Sequence, residues 1–189
     1  MANGFPHTDE GPCFGPRELR ELDASVHLAA DLVSEAFGLD FGDFRQWPVD
    51  VRHYPQLSPE EKRDDALAQL FRYARHDTLP RGGGPDYWRV CLYDPVILAT
   101  MRREGFFLKP LLCYVITHEF IHVSRFIRFM ELFSQDHRER PKEETIVHGL
   151  TARLLAKQPI GGLGPVLDYF RAGGHVLDQA PASLAGDPF

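Results

Sequence analysis

The chain has 189 residues, a formal net charge of −6, 43% hydrophobic residues and 25% charged residues, which is the composition of one globular domain with a real core. The acidic balance argues against a nucleic-acid or anionic-membrane binder, and three cysteines are too few for a disulfide framework or a Cys-rich zinc site. No apolar run is long enough to span a bilayer and the N-terminus lacks signal-peptide features, so we expect a soluble, cytoplasmic protein that binds neither nucleic acid nor membrane.

Composition along the chain predicts one domain with a tail at each end. Residues 1–16 are rich in Pro and Gly and predict a flexible arm. Residues 17–173 carry the periodic apolar patterns and form the single domain. Residues 174–189 are rich in Gly, Ala and Pro and predict a loose tail. The domain opens with an amphipathic helix from Arg17, in which apolar residues recur every three or four positions until Gly38 ends it.

A short strand and a second helix are predicted next. Val49, Val51 and His53 alternate with polar residues, as in a strand. Ser58 and Glu61 have the spacing of a capping box, with a proline between them, and therefore predict a helix that runs to about His76.

The clearest strand is residues 87–93, YWRVCLY, whose side chains alternate between two faces. The preceding glycine-rich stretch, 77–86, lacks the lysine and Ser/Thr of a phosphate-binding loop and is interpreted as a connector. A short helix is predicted from Asp94 to Glu104.

Helical patterns dominate the rest of the chain. The longest runs over 109–134, and its first half is apolar nearly all round, so we expect a buried central helix. A polar connector, 135–140, leads to a helix over 141–157 and a short helix over 164–172. The predicted fold class is α+β, mostly helical, with a short β-sheet.

The buried helix contains the motif that carries chemistry, HExxH, formed by His118, Glu119 and His122. Residues four apart on a helix lie on one face, so the two imidazoles can bind a single metal ion. Zinc prefers such nitrogen ligands and in catalytic sites keeps one position for water. Glu119 lies beside that position as a candidate general base.

This motif resembles the active-site helix of the zincin metallopeptidases. The resemblance extends loosely from the strand at 87–93, in the place of the edge strand on which zincins hold extended substrate, to the helix at 141–157. It implies a zincin-like domain with one Zn²⁺ ion and a peptide or protein substrate. Arg125 and Arg128 replace the Gly and third His of the metzincins, so the chain is similar to gluzincins instead.

The third metal ligand must come from outside the motif. Gluzincins take a glutamate from a second helix, and Glu144 is favoured here, with His148 one turn later either supporting a ligand or serving as the third ligand itself. Glu143 is a further candidate. His137 resembles in its spacing a ligand of SprT-like proteases, but it lies in a charged stretch and ranks last. Acidic residues in the first turn of a helix also stabilise its dipole without any ligand role.

Two further residues share the face of the motif. Arg125 is a candidate for binding a substrate carboxylate or an oxyanion, or for pairing with Glu131, Glu143 or Glu144 between helices. Tyr114 is a candidate transition-state donor or an ordinary core tyrosine.

Three functions are consistent with these residues. The leading one is a zinc-dependent metallohydrolase, most simply a peptidase, with Glu119 as general base. The second is a helical di-iron protein, because Glu119 and His122 also form an ExxH element, although Glu144 and His148 are one residue too far apart to supply the second element. The third is a non-enzymatic protein with a structural metal, or an adaptor.

Overall fold

A computed structural model describes residues 11–39, 49–73, 87–129, 140–174 and 182–184. These residues form five α-helices: α1 Pro16–Phe37, α2 Asp94–Glu104, α3 Leu108–Phe129, α4 Arg140–Leu155 and α5 Leu163–Arg171. They also form four strands: β1 Val49–His53, β2 Ala68–Tyr73, β3 Tyr87–Leu92 and β4 Ala182–Leu184. The predicted α+β, mostly helical fold class is confirmed. None of the helices described is long and apolar enough to cross a membrane.

The strands form one mixed sheet in the order β1-β3-β2-β4. Strand β3 lies in its interior, parallel to β1 and antiparallel to β2. The strand at 87–93 was correctly predicted, but the expectation that it is an edge strand for substrate is wrong. Both of its hydrogen-bonding edges are occupied, because β1 pairs along one edge and β2 along the other.

The sheet separates two hydrophobic clusters. Trp88, Val90 and Leu92 of β3 face the helices and join the main core. Cys91 faces the opposite side and packs in a smaller cluster with Tyr73. The alternation predicted for this strand is therefore confirmed, and the helical core covers only one face of the sheet.

Helix α1 packs along the central helix α3, as its apolar stripe predicted. Leu22, Ala29 and Val33 are buried in the main core. The helix ends at Gly38, which has a φ of 58° in the left-handed region that glycine tolerates. Strand β1 and helix α2 also lie where they were predicted.

The helix predicted from Ser58 to His76 is wrong. Glu61 does bind the backbone N–H of Ser58, at 2.8 Å, as in a capping box, but the chain then turns and forms β2. Strand β2 is buried on both faces, with Leu70 in the main core and Phe71 in the smaller cluster. Apolar side chains on two faces of a strand imitate the three- and four-residue steps of a helix over so short a run.

Buried polar side chains support the smaller cluster. The Glu61 carboxylate accepts hydrogen bonds from the Tyr73 hydroxyl and, at 3.0 Å, from Arg89 Nη1. The Tyr93 hydroxyl donates to the Glu61 carbonyl oxygen at 2.8 Å. Arg89 also lies 3.3 Å from Asp50. These contacts fix the turn after Ser58 onto the sheet.

Asp94 joins three distant segments. Its buried carboxylate accepts hydrogen bonds from the backbone N–H groups of Phe14 and Tyr54, both at 3.0 Å, and lies 2.9 Å from His53 Nδ1. Phe14 is only 6% exposed, so the end of the predicted flexible arm is packed against the domain. Within the predicted loose tail, residues 182–184 form β4 beside β2. The stretches predicted as connectors, 77–86 and 135–140, lie outside the described residues except for Arg140, which begins α4 instead of ending the connector.

Candidate metal centre

The HExxH motif lies on the most buried helix of the described chain. Helix α3 is surrounded by the main core, and Leu111, Leu112, Val115 and Ile116 on it are fully buried. His118 is 0% and His122 3% exposed. One helical turn separates them, and their Nε2 atoms lie 3.1 Å apart. The two imidazoles therefore converge on one point, as their spacing predicted.

Helix α4 brings a carboxylate to the same point. Glu144 Oε1 lies 3.2 Å from His122 Nε2, and Glu144 Oε2 lies 3.4 Å from His118 Nε2. Ligand atoms about 2.0–2.1 Å from a tetrahedral zinc ion are roughly 3.3–3.4 Å apart along each edge of the tetrahedron. The separation of the two imidazole nitrogens, and the separation of each nitrogen from one of the two Glu144 oxygens, are thus close to the ligand spacings of a zinc site.

The lone pairs of the side chains in this cluster are not all met by hydrogen-bond donors within it. Among the described residues, Glu144 Oε2 is buried without a hydrogen-bond partner. The Nε2 atoms of His118 and His122 face each other, and two neutral imidazoles can share only one proton between those atoms. Buried lone pairs of this kind are costly unless a cation or a donor meets them. The residues present therefore fit a metal ion.

The electrostatics also favour ligand forms of these side chains. Burial lowers the pKa of His118 to about 3, so its imidazole is neutral near pH 7 and keeps a lone pair. Burial alone would raise the pKa of Glu144, but the imidazoles of His118 and His122 outweigh it and lower the pKa to about 2. A neutral histidine and an ionised carboxylate are the protonation states that bind metals.

His148 lies one turn after Glu144 and borders the same cluster. His118, Glu144 and His148 each offer a ligand atom, and these atoms lie within 4.8 Å of one another. The Tyr114 hydroxyl is 2.7 Å from His148 Nδ1. If His148 Nδ1–H donates to Tyr114, its Nε2 lone pair is available to a metal, as is usual for ligand histidines. If the Tyr114 hydroxyl donates to Nδ1 instead, His148 Nε2 carries the imidazole proton and cannot bind a metal ion.

Arg125 and Glu143 form a pair beside the centre. Arg125 donates from Nε to Glu143 Oε1 and, at 2.8 Å, from Nη2 to Glu143 Oε2. This two-pronged ion pair links α3 to the first turn of α4, which is the structural alternative predicted for Arg125. It also places Glu143 on Arg125, whereas Glu144 faces the histidines. Candidate ligand His137 and candidate partner Glu131 lie outside the described residues.

The remaining candidates are deeply buried. Glu119 is 0% exposed, and Tyr114 is 1% exposed with its ring stacked 4.0 Å from Phe170 of α5. Burial raises the pKa of Tyr114, so its hydroxyl stays protonated at neutral pH. A pocket of about 510 Å³ lies between α3, α4 and α5 and is lined by Tyr114, Glu144 and His148. The contribution of α5 to this site could not be predicted from the sequence, because no pattern in the chain indicates which helices meet there.

No family model, curated protein or solved structure matches this chain. The resemblance to zincins therefore rests on the HExxH residues themselves.

Proposed function

We propose that this protein is a zinc-dependent hydrolase that cleaves peptide bonds. The observation that carries the proposal is the convergence of three side chains: His118 Nε2 and His122 Nε2 lie 3.1 Å apart, and the Glu144 carboxylate places Oε1 3.2 Å from His122 Nε2 and Oε2 3.4 Å from His118 Nε2. Two imidazoles and one carboxylate are a common ligand set of catalytic zinc, which leaves a fourth position for water.

Each residue has a defined task in this proposal. His118, His122 and Glu144 would hold the zinc, which would supply a Lewis acid for the substrate carbonyl and a lower pKa for bound water. Glu119, next to His118 on α3, accepts a proton from the attacking water and returns it to the leaving nitrogen. The protonated hydroxyl of Tyr114 orients His148 through their 2.7 Å hydrogen bond.

The donor set favours zinc over the di-iron alternative. A di-iron centre of the helical type requires two ExxH elements and two further glutamates. Within the described ranges, the side chains that form the cluster are His118, His122, Glu144 and His148. Glu144 and His148 are separated by four positions, where the second ExxH element requires three.

Zinc analysis combined with three variants tests the proposal. The purified protein should bind about one zinc per chain, and His118→Ala or His122→Ala should abolish that binding. Glu119→Gln should retain zinc but lose hydrolysis of a peptide pool by about 10²-fold or more. His27→Ala, which removes an exposed histidine of α1, is the matched control and should change neither property. Full zinc content after both motif histidines are replaced would contradict the proposal.

One observation favours a second candidate, a structural metal site. Glu119 is 0% exposed, whereas a general base must reach its substrate. A structural ion would instead link α3 to α4 and leave the protein without hydrolytic activity. This candidate predicts that zinc stabilises the protein, that no peptide pool is cleaved, and that Glu119→Gln changes neither zinc content nor the zinc-dependent gain in stability.

A further inference from the structure

His148 is related to Glu144 on α4 as His122 is related to His118 on α3. Both pairs are separated by four positions, so the two members of each pair lie on one face of their helix. The ring centroid of His148 lies 4.6 Å from that of His118. Ligand atoms of His118, Glu144 and His148 lie within 4.8 Å of one another. Each helix therefore directs two possible ligands toward the other helix.

Aromatic neighbours hold the His148 ring in its orientation. The ring of Tyr114 stacks with it at an angle of 28° between their planes, and the ring of Phe170 stacks with it at 26°, each at a centroid distance of 6.1 Å. The Tyr114 hydroxyl also lies 2.7 Å from His148 Nδ1. A side chain that is already oriented loses little conformational entropy when it binds an ion, so this ring is preorganised as a ligand.

The hydrogen bond to Tyr114 determines which nitrogen of His148 can bind a metal ion. Tyr114 contacts Nδ1, so Nε2 is the nitrogen that remains. Binding through Nε2 places the imidazole proton on Nδ1, whose N–H then donates to the Tyr114 oxygen, which is the usual arrangement of a ligand histidine. A tetrahedral zinc ion has four positions, and His118, His122 and Glu144 account for three of them.

We propose that His148 is the fourth protein ligand of the zinc ion and that Tyr114 is its positioning residue. The proposal rests on the zinc ion of the proposed function but does not require hydrolysis. It gives His148 the position that water takes in a site with three protein ligands, so the resting protein would hold its ion in a closed site. Glu144 and His148 both line the pocket of about 510 Å³, so a water or substrate molecule would reach the ion from that side by displacing His148.

NMR of the full chain loaded with cadmium-113 in place of zinc tests the ligand set directly. Scalar coupling between the metal and a nitrogen-15 nucleus of a histidine ring passes through the bond that joins them, so it identifies each ligand histidine. The unaltered protein should show coupling to three histidines, and His148→Ala should show coupling to two. His27→Ala removes an exposed histidine of α1 and is the matched control, which should keep all three couplings.

Zinc affinity and the spectrum of the cobalt-loaded protein measure the consequences. Loss of the group that orients a ligand histidine costs about 10–100-fold in metal affinity, so Tyr114→Phe should weaken zinc binding about tenfold and His148→Ala should weaken it further. Competition with a chelator measures both. Thiocyanate should change the visible spectrum of cobalt-loaded His148→Ala at concentrations that leave the spectrum of the unaltered protein unchanged, because only the variant has an open position.

His148→Phe is the second variant if His148→Ala does not fold, because it keeps a ring between Tyr114 and Phe170 but has no ligand nitrogen. Coupling to only two histidines in the unaltered protein overturns the proposal, and so does an unchanged zinc affinity or a retained third coupling in a folded His148 variant. Failure of the proposed function is distinguishable, because the protein would then show all three couplings without hydrolysing a peptide pool. Absence of any metal binding by the unaltered protein would contradict both.

Discussion

Two glutamates on opposite sides of the sheet have different kinds of groups around their carboxylates. Glu61, below the sheet, is 1% exposed, and its carboxylate is bound by the Ser58 backbone N–H, the Tyr73 hydroxyl and the Arg89 guanidinium. The chain itself supplies every group that stabilises this buried charge. Such a network fixes structure and leaves no position for a ligand.

Glu144, on the helical side, faces His118 and His122 instead of dedicated donors. Their Nε2 atoms offer lone pairs as readily as protons, and Glu144 Oε2 lacks a hydrogen-bond partner within the described chain. The two regions therefore differ in how their buried charge is met: groups of the chain satisfy Glu61, whereas the described chain supplies no hydrogen bond to Glu144 Oε2. A buried charge alone does not indicate a ligand site, whereas converging lone pairs without hydrogen-bond donors do.

The largest expected effect is the loss of the Glu61 network. Glu61→Ala removes one partner of a buried ion pair, leaves the Tyr73 hydroxyl without its acceptor and leaves Arg89 with Asp50 as its remaining acidic partner, so it should lower the free energy of unfolding by about 3 kcal/mol. Urea denaturation measures this. Glu60→Ala, at the exposed neighbouring position, should change it by less than about 0.5 kcal/mol. A Glu61→Ala loss as small as that of Glu60→Ala would show that the network contributes little.

The next effect belongs to the metal centre. If zinc binds the folded chain alone, as proposed, zinc at 100 times its dissociation constant should raise the free energy of unfolding by about 2.7 kcal/mol. His118→Ala and Glu144→Ala should abolish this gain, while His27→Ala should retain it. Thermal unfolding with and without zinc measures it. An equal zinc-dependent gain in Glu144→Ala would remove Glu144 from the ligand set.

A smaller effect is expected for the pair that links α3 to α4. R125E or E143R alone places like charges together and should destabilise the protein by about 2 kcal/mol, with weaker zinc binding because α4 carries Glu144. The double variant R125E/E143R restores the opposite charges and should recover most of the loss. A double-mutant cycle with zinc titration checks both properties. Strictly additive losses would show that the two side chains are not coupled.

The smallest effect is the contribution of Glu61 to the pH dependence of stability. Burial alone raises the pKa of Glu61, but hydrogen bonds from Tyr73, Ser58 and Arg89 outweigh it and hold the pKa below its usual value of 4.5. This stabilisation is present above pH 4.5 and is lost as the pH falls through the lowered pKa of the folded state. Glu61→Gln should therefore flatten the stability profile below about pH 5 in acid titrations. An unchanged profile would contradict this assignment.

Local patterns in the sequence predicted much of the fold. Helices α1 and α2 have apolar periodicity and end in Gly38 and Gly105, both with positive φ, so their bounds follow from short-range physics. Strand β2 could not be predicted from local patterns. The burial of Leu70 and Phe71 on opposite faces depends on what the rest of the chain places there. The interior position of β3 likewise depends on pairing with β1 and β2, which a strand's own residues do not specify.

The site divides in the same way. His118 and His122 converge because a helix places residues four apart on one face, which the sequence alone predicts. Whether Glu143 or Glu144 faces the two histidines depends on the rotation of α4 about its axis relative to α3. The contact of Arg125 with Glu143 shows which rotation the chain adopts. The contribution of Phe170 depends on the docking of α5, for which the residues carry no local signal.

Asp94 has a consequence for the order in which the chain folds. Its partners are Tyr54, 40 residues away, and Phe14, 80 residues away. Doubling the length of a loop adds only about 0.6 kcal/mol to the entropic cost of closing it, so neither contact is prohibitive. Each contact must nevertheless follow the closure of a long loop. We therefore expect the carboxylate to gain its partners on the native side of the folding barrier. Asp94 then governs how quickly the folded molecule opens more than how quickly it forms.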